Sequence, residues 1–409
     1  MTVTTDEPLT PVRARWIGAL SAATLGMSIA VLTPIQVLLP LQVESIDPAA
    51  KVANLGWITT VAALVSIVVC PVAGALSDRT RSRFGRRRPW ILGSGLLCAA
   101  GLAALGGQQT IIGVAIAWVV VQTGTNAMYA ALSACVPDRV PVRQRGLVSA
   151  FIGLPLPLSL ILGSFLVTKV VPGQAAGYLL LAGILLVLIL PLVLDRSDRP
   201  IPDGEPLPAL GTQLRGMVTG LLGSPDLLWA FGCRFGIQLA NAVGTLYLLY
   251  YLRDVVHDPD PAGAVFVLIV LYTAGILLTS VPAGRWSDRS GKRKPYVIVS
   301  SVAVAAAMVV LGVGESWTSA LVAAGLLGAG YGVYIAVDNA LITQVLPSAG
   351  DRARDLGVVN LANTAPQAVA PAVAAGVISI SGGYLWLYLL AAASALLGAL
   401  LIRPVRAVR

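Results

Sequence analysis

Charged residues are scarce in this chain of 409 residues. Only 11% of the residues are charged, whereas soluble proteins carry roughly a quarter. Hydrophobic residues make up 56% of the chain, and the mean hydropathy is +0.82. This composition excludes a series of soluble domains and indicates that most of the chain lies in a membrane.

Cysteine and histidine are also rare, with four and one residues respectively. The cysteines fall in or at the ends of apolar segments without the spacing of metal ligands, and we interpret them as packing residues. The single histidine, His257, falls in a predicted loop. The sequence also lacks a phosphate-binding loop and a triad-like set of residues, so we expect no enzyme activity, no cofactor and no bound metal.

The net charge of +9 does not indicate nucleic-acid binding, because the basic residues lie in short loops between apolar segments. Crossing a bilayer takes about 20 apolar residues. Apolar runs of that length, uncharged except for Arg234 and Asp338, lie at 16–43, 52–77, 146–168, 170–194, 227–252, 261–284, 295–314 and 316–342. Two longer runs, 89–137 and 356–402, each hold two helices. The prediction is therefore an all-α membrane protein with twelve transmembrane helices.

The distribution of the basic residues predicts the orientation. If both termini are cytoplasmic, nearly all lysines and arginines fall on the inner side, and only Lys51, Lys169 and Arg253 fall outside. The polar N-terminal residues followed by a long apolar run do not fit a cleavable signal peptide. We expect a multi-pass protein of the cell inner (plasma) membrane.

One motif appears twice, in the loops after the second and the eighth predicted helix. The pattern G-x-x-S-D-R begins at Gly74 and again at Gly284, and each copy continues through a glycine and three basic residues to a proline. Internal symmetry of this kind is typical of transporters built from repeated helix bundles. We therefore predict an N-terminal six-helix bundle (1–194), a cytoplasmic linker rich in proline and glycine (195–226) and a C-terminal six-helix bundle (227–409).

The doubled loop resembles the signature loop of the major facilitator superfamily, and the resemblance extends over nearly the whole chain. It implies two pseudo-symmetric bundles and a secondary transporter working by alternating access. In that superfamily the acidic and basic residues of the loop form a cytoplasmic charge cluster that acts as a gate. The gating residues implied here are Asp78, Arg79, Arg86, Asp138, Asp288 and Arg289. The alternative for the arginines is that they only fix the topology.

The amino-acid sequence of the first loop suggests a particular branch of the superfamily. Residues 82–89 resemble the loop of sucrose–proton symporters and of the glycoside–pentoside–hexuronide cation symporters. Asn126 and Tyr129, together with Pro137 and Asp138, resemble the fourth helix of the latter group. The acidic cation ligands of the melibiose-permease type are missing from the first bundle, so the resemblance does not carry sodium coupling over to this chain.

Two charged residues fall inside predicted helices, Arg234 in the seventh and Asp338 in the tenth. Ionisable residues within a membrane are costly and suggest function. We expect the two side chains to pair or to meet across a cavity, with Asp338 carrying a coupling proton. The alternative is a fixed ion pair that tethers two helices.

Uncharged polar residues form stripes on several predicted helices. Gln238, Asn241 and Thr245 continue one face of the seventh helix from Arg234. Amides and hydroxyls suit a solute with many hydroxyl groups, although they also suit ordinary hydrogen bonds between helices. Further candidate substrate-binding residues are Gln36, Gln122, Asn126, Tyr129, Asn360 and Asn363.

These features favour proton-coupled symport of a sugar or a similarly polyhydroxylated solute. A proton-antiporting exporter of a drug or natural product is the main alternative. The chain lacks the arginine in the fourth helix and the Gly-x-x-x-Gly-Pro pattern in the fifth that are usual in such exporters. A transporter-like sensor without flux is the third possibility. The expected partners are a small-molecule solute, protons and the lipid bilayer, without nucleic acid, and we expect a monomer.

Overall fold

The structure is a computed structural model, and it describes residues 11–405 with gaps. The gaps are 142–143, 145–147, 149–150, 172, 196–224, 346–351 and 382. Some residues within helices are described by their backbone only, and nothing is said of their side chains. They are residues 137, 227, 339–340, 342–345 and 352–364. The predicted linker at 195–226 falls almost wholly in the largest gap.

The described residues form helices that we number α1 to α12 in chain order. The first six are α1 (Ala14–Ile46), α2 (Lys51–Asp78), α3 (Arg88–Gly106), α4 (Ile111–Arg139), α5 (Phe151–Val170) and α6 (Gln174–Leu194). The second six are α7 (Pro225–Leu246, continued by Leu248–Asp254), α8 (Pro261–Ser290), α9 (Lys294–Gly314), α10 (Trp317–Val345), α11 (Arg352–Ser381) and α12 (Leu385–Leu401).

These bounds agree closely with the apolar runs in the sequence. Nine of the described helices are long and apolar enough to cross a membrane, and α7 makes a tenth when its two bent parts count as one span. The last two, α11 and α12, hold shorter apolar stretches at Ala365–Ser381 and Leu385–Leu401. These helices confirm the predicted all-α membrane fold.

The chain divides into two compact units, Met1–Ile46 with Leu64–Leu207 and Asp47–Ala63 with Pro208–Arg409. Helix α2 thus begins in the second unit and ends in the first. The packing inside one unit repeats in the other, since the pairs α1–α5, α1–α6, α3–α4 and α3–α6 correspond to α7–α11, α7–α12, α9–α10 and α9–α12. The helix packing therefore repeats between the two units, as the duplicated loop motif indicates. The predicted limits of the two bundles remain a prediction.

Local sequence explains where the helices bend or approach closely. Pro34 opens a π-helical segment, Pro34–Leu38, within α1, because proline cannot donate the hydrogen bond that continues an α-helix. Helix α7 bends by 47° at Tyr247. Helices α8 and α10 lie so close that a Cβ atom on Gly328 would be 2.1 Å from the Tyr272 carbonyl oxygen, so this crossing requires glycine.

Candidate transport site

Arg234 and Asp338 form a buried ion pair between α7 and α10. The Arg234 Nη1 atom lies 3.1 Å from Asp338 Oδ2, and the two side chains are only 8% and 9% exposed. The contact expected from the sequence is therefore present. Two opposite charges buried together stabilise each other, and neither is tolerated alone in such a place.

The polar stripe of α7 is bonded to tyrosines on neighbouring helices. The Tyr331 hydroxyl of α10 donates to Gln238 Oε1 at 2.7 Å, and the Tyr272 hydroxyl of α8 donates to Asn241 Oδ1 at 3.0 Å. The rings of Tyr272 and Tyr331 stack with their centroids 6.2 Å apart. Phenol hydroxyls thus fix the orientation of both candidate substrate-binding amides.

The tyrosines also connect this stripe to the ion pair. Tyr334 packs against Tyr331 with ring centroids 5.9 Å apart, and it lies one helical turn before Asp338 on α10. Its ring is buried among the side chains of a cluster that includes Cys233 and Val337. One continuous layer of amides, phenols and charges therefore runs between α7 and α10.

Thr245, the last member of the predicted stripe, has its hydroxyl bonded to its own helix. Its Oγ1 atom donates to the Asn241 carbonyl oxygen at 3.0 Å, a common arrangement for threonine in a helix. The side chains of Asn360 and Asn363 lie outside the described residues. Helix α11 itself is described at both positions.

The candidate substrate-binding residues of the first unit differ in their hydrogen bonding and in their exposure. The Asn126 amide donates to the Ser66 hydroxyl and to the Gln122 carbonyl oxygen, both at 2.8 Å. Tyr129 on the same helix is 43% exposed. Gln36 is half-buried in the π-helical segment of α1, a kind of segment that is frequent at functional sites.

The first signature loop builds a charge cluster around a buried arginine, Arg87. Its Nη1 atom donates to the Ser77 hydroxyl at 2.9 Å, its Nη2 atom to Asp78 Oδ1 at 2.5 Å and its Nε atom to Asp138 Oδ2 at 2.8 Å. Arg86 adds a second cation 2.6 Å from Asp138 Oδ1. Burial disfavours the charged form of Arg87, but the Asp138 and Asp78 carboxylates outweigh it and raise the pKa of Arg87 above its ordinary value.

The second loop repeats part of this cluster in the other unit. Arg293 donates to the Ser287 hydroxyl at 2.7 Å and to Asp288 Oδ1 at 2.6 Å. The Arg293 Nε atom is buried, and it has no hydrogen-bond acceptor among the described residues. Within the described part of the chain, the second cluster thus repeats the contacts to serine and aspartate, and no counterpart of the contact with Asp138 is seen there.

Sequence reasoning missed the residues at the centre of these sites. Arg87 and Arg293 are the hubs of the loop clusters, although Arg79, Arg86 and Arg289 were the arginines proposed for gating. The signal was available, because Arg87 and Arg293 occupy the same place in both copies, two residues before the closing proline. Tyr272, Tyr331 and Tyr334 gave no sequence signal beyond aromatic residues in apolar helices.

The repeated packing and the duplicated loop clusters are features of membrane transporters built from two related helix bundles. A family model described as MFS/sugar transport protein matches residues 49–395. The chain belongs to this family of major facilitator transporters, which confirms the resemblance seen in the sequence. A comparison with curated protein sequences finds no match.

Proposed function

We propose that this protein is a proton-coupled symporter of a sugar or a similarly polyhydroxylated solute. The protein is a secondary transporter by its family, and the description of that family includes sugar transport. The observation that carries the coupling proposal is the buried pair of Arg234 and Asp338. Asp338 takes up and releases the proton, and Arg234 controls when it does so.

The chemistry of the pair supports this assignment. Arginine stays charged at every physiological pH, so Asp338 is the member of the pair that titrates. When Arg234 lies beside Asp338, as it does here, the carboxylate is compensated in its charged form. A rearrangement that moves Arg234 away leaves a buried carboxylate without its cation, and binding a proton removes that penalty.

The polar layer next to the pair supports a solute with many hydroxyl groups. Gln238 and Asn241 carry both hydrogen-bond donors and acceptors, and sugar hydroxyls need both. The stacked rings of Tyr272 and Tyr331 add flat apolar faces of the kind that pack against the C–H faces of a sugar ring. We propose Gln36, Gln122, Asn126, Tyr129, Thr245, Asn360 and Asn363 as further solute contacts.

The two loop clusters, one at the end of α2 and the other at the end of α8, are the proposed gates. Asp78, Asp138 and Asp288 each accept from a buried arginine, and Arg86 reinforces the first cluster. We keep Arg79 and Arg289 as gating candidates from the repeated motif. We further propose that both termini are cytoplasmic, that the membrane is the inner (plasma) membrane and that the protein is a monomer.

Proton movement on addition of solute tests this proposal. Purified protein is reconstituted into liposomes that hold a pH-sensitive dye, without an imposed gradient. A panel of pentoses, hexoses, hexuronides and disaccharides is then added outside, one at a time. Symport predicts acidification of the lumen by at least one member of the panel and no change in protein-free liposomes.

The alternative is a proton-antiporting exporter of a drug or natural product. In that case a hydrophobic cationic drug, added to liposomes with an acidic lumen, dissipates the pH gradient, and no sugar acidifies the lumen. If neither the sugars nor the drugs cause proton movement, the result favours the third possibility, a transporter-like sensor without flux. Both of these results would contradict the symport proposal.

A further inference from the structure

We propose that a groove on the first unit binds one anionic phospholipid, with an acyl chain in the groove and the phosphate at the arginines of the first signature loop. Every residue that lines the groove lies in the first unit. The proposal goes beyond the transport function, and it does not depend on the identity of the solute or on proton coupling.

The groove lies between α2, α3 and α4. Its volume is about 440 Å³, which is within the range of ligand sites in proteins. Small residues from all three helices help to form it, namely Ala73 on α2, Gly93 and Ser94 on α3, and Ala127 on α4. The lining is almost wholly apolar. Because lipid tails are as apolar as the side chains of a membrane helix, a hydrocarbon chain fits such a groove.

The second unit does not repeat the residues that keep this groove open. At matching places of the duplicated motif, Gly93 corresponds to Val299 and Leu76 corresponds to Trp286. Both residues of the second unit are larger than those of the first. A Cβ atom added to Gly93 would meet no atom of the described residues within 4 Å. The open space beside Gly93 is therefore a property of the first unit's own sequence.

The first signature loop is fixed at one end of the groove. Leu76 and Trp90 both line the groove, and the loop joins the helix that holds one to the helix that holds the other. The Trp90 Nε1 atom donates to the Thr80 hydroxyl at 2.7 Å, which connects the start of the loop to the start of α3. The loop is therefore placed where the headgroup of a lipid in the groove would lie.

This loop has a surplus of positive charge. Residues 78–88 contain six arginines and one aspartate, and Asp138 contributes one further carboxylate to the cluster. Arg81 and Arg83 are exposed, and the guanidinium carbon of Arg83 lies 4.9 Å from the centroid of the exposed Phe84 ring. Basic pockets at the ends of membrane helices bind anionic lipid headgroups. The charge of the loop thus favours an anionic headgroup over a neutral one.

Native mass spectrometry of the purified full chain tests the proposal without any solute or proton gradient. The protein is delipidated in detergent and titrated with phosphatidylglycerol or with phosphatidylcholine of the same acyl chains. Both lipids offer the groove the same hydrocarbon, but only phosphatidylglycerol carries a net negative charge. We expect one retained phosphatidylglycerol molecule per protein, with an apparent Kd roughly tenfold lower than that for phosphatidylcholine.

A change inside the groove tests the place of the acyl chain. Gly93→Val introduces the residue of the second unit, and its side chain occupies part of the groove, so both lipids should bind roughly fivefold more weakly. Gly183→Val is the matched control. A Cβ atom on Gly183 would also meet no described atom within 4 Å, and this glycine lies on α6, outside the groove.

A change in the loop tests the place of the phosphate. The double variant Arg81→Gln with Arg83→Gln should weaken the binding of phosphatidylglycerol by roughly tenfold and leave that of phosphatidylcholine nearly unchanged. The matched control is Arg285→Gln with Lys292→Gln, which removes the same charge from exposed positions of the second loop. This control should bind phosphatidylglycerol as the wild-type protein does.

Equal affinity for the two lipids would overturn the proposal, and so would binding that survives either the groove change or the loop change. A dimer mass in place of a bound lipid would identify a second copy of the chain as the occupant and would also overturn it. Each variant is first checked for a single symmetric peak in gel filtration, and Gly93→Ala replaces Gly93→Val if the latter does not fold. A sugar panel without any signal contradicts symport but leaves these lipid affinities as they are.

Discussion

Arg234 Nη1 and Asp338 Oδ2 lie 3.1 Å apart at a position where both side chains are less than a tenth exposed. This relationship connects α7 and α10 and places an ion pair on the same face of α7 as the candidate solute amides. A buried pair of this kind contributes little net stability compared with apolar residues, but losing one member is costly. Stability alone therefore does not explain why a charged pair, rather than two apolar residues, occupies this place.

The first prediction concerns the stability of this pair. Arg234→Gln alone leaves Asp338 as an uncompensated buried charge, and we expect the free energy of unfolding to fall by about 3 kcal/mol or more. The double variant Arg234→Gln with Asp338→Asn should recover much of that loss. Thermal unfolding of the purified variants in detergent measures both effects. Equal losses in the single and the double variant would show that the two charges do not depend on each other.

A second prediction separates the two adjacent arginines of the first loop. Arg87 is 5% exposed and bonded to two aspartates and a serine, whereas Arg86 is 27% exposed. We expect Arg87→Gln to lower the free energy of unfolding by about 3 kcal/mol and Arg86→Gln by about 1 kcal/mol or less. Denaturation followed by intrinsic fluorescence measures the difference. If Arg86→Gln is the more damaging change, Arg87 is not the hub of the cluster.

The third prediction tests the close crossing of α8 and α10. Gly328→Ala places a methyl group against the backbone of Tyr272, which cannot move aside as a flexible side chain can, so the helices must separate. Gly325→Ala is the matched control on the same helix, since its methyl group would meet Leu271 at an ordinary 3.9 Å. Gly328→Ala should lower the melting temperature markedly and Gly325→Ala should not. Similar melting temperatures would contradict the packing described here.

A fourth prediction concerns the phenols that orient the candidate amides. Tyr331→Phe and Tyr272→Phe each remove one hydrogen bond to Gln238 or Asn241. We expect KM for the transported sugar to rise about three- to tenfold, which corresponds to about 1 kcal/mol per bond. Tyr388→Phe is the control, because its hydroxyl is buried without a hydrogen-bond partner among the described residues. Unchanged KM in both variants would place the solute elsewhere.

The fold was largely predictable because apolar runs of membrane length set the helix bounds directly. Even the break between α3 and α4 follows from the glycines at 106 and 107, and the ends of α2 at Lys51 and Asp78 follow from charge. The contact between Arg234 and Asp338 was also predictable, since isolated charges in apolar helices need each other.

Tertiary contacts of ordinary residues were not predictable in the same way. A tyrosine in an apolar helix gives no sign of which amide its hydroxyl will meet, so the roles of Tyr272 and Tyr331 depend on how α8 and α10 pack. Lys51 looked like a charge in an outer loop, and its pairing with Asp254 joins residues about 200 positions apart. The sequence also does not show which of the three consecutive arginines at 86–88 is the buried one.

Proton flux in Asp338→Asn liposomes tests the central claim most directly. Wild-type protein and this variant are reconstituted at equal density, and the sugar that gives the largest wild-type signal is added outside. Asp258→Asn serves as the control for loss of a carboxylate. We predict that Asp338→Asn abolishes sugar-driven acidification of the lumen while exchange of labelled for unlabelled sugar continues. Full sugar-driven proton flux in Asp338→Asn would contradict the assignment of the coupling proton to this residue.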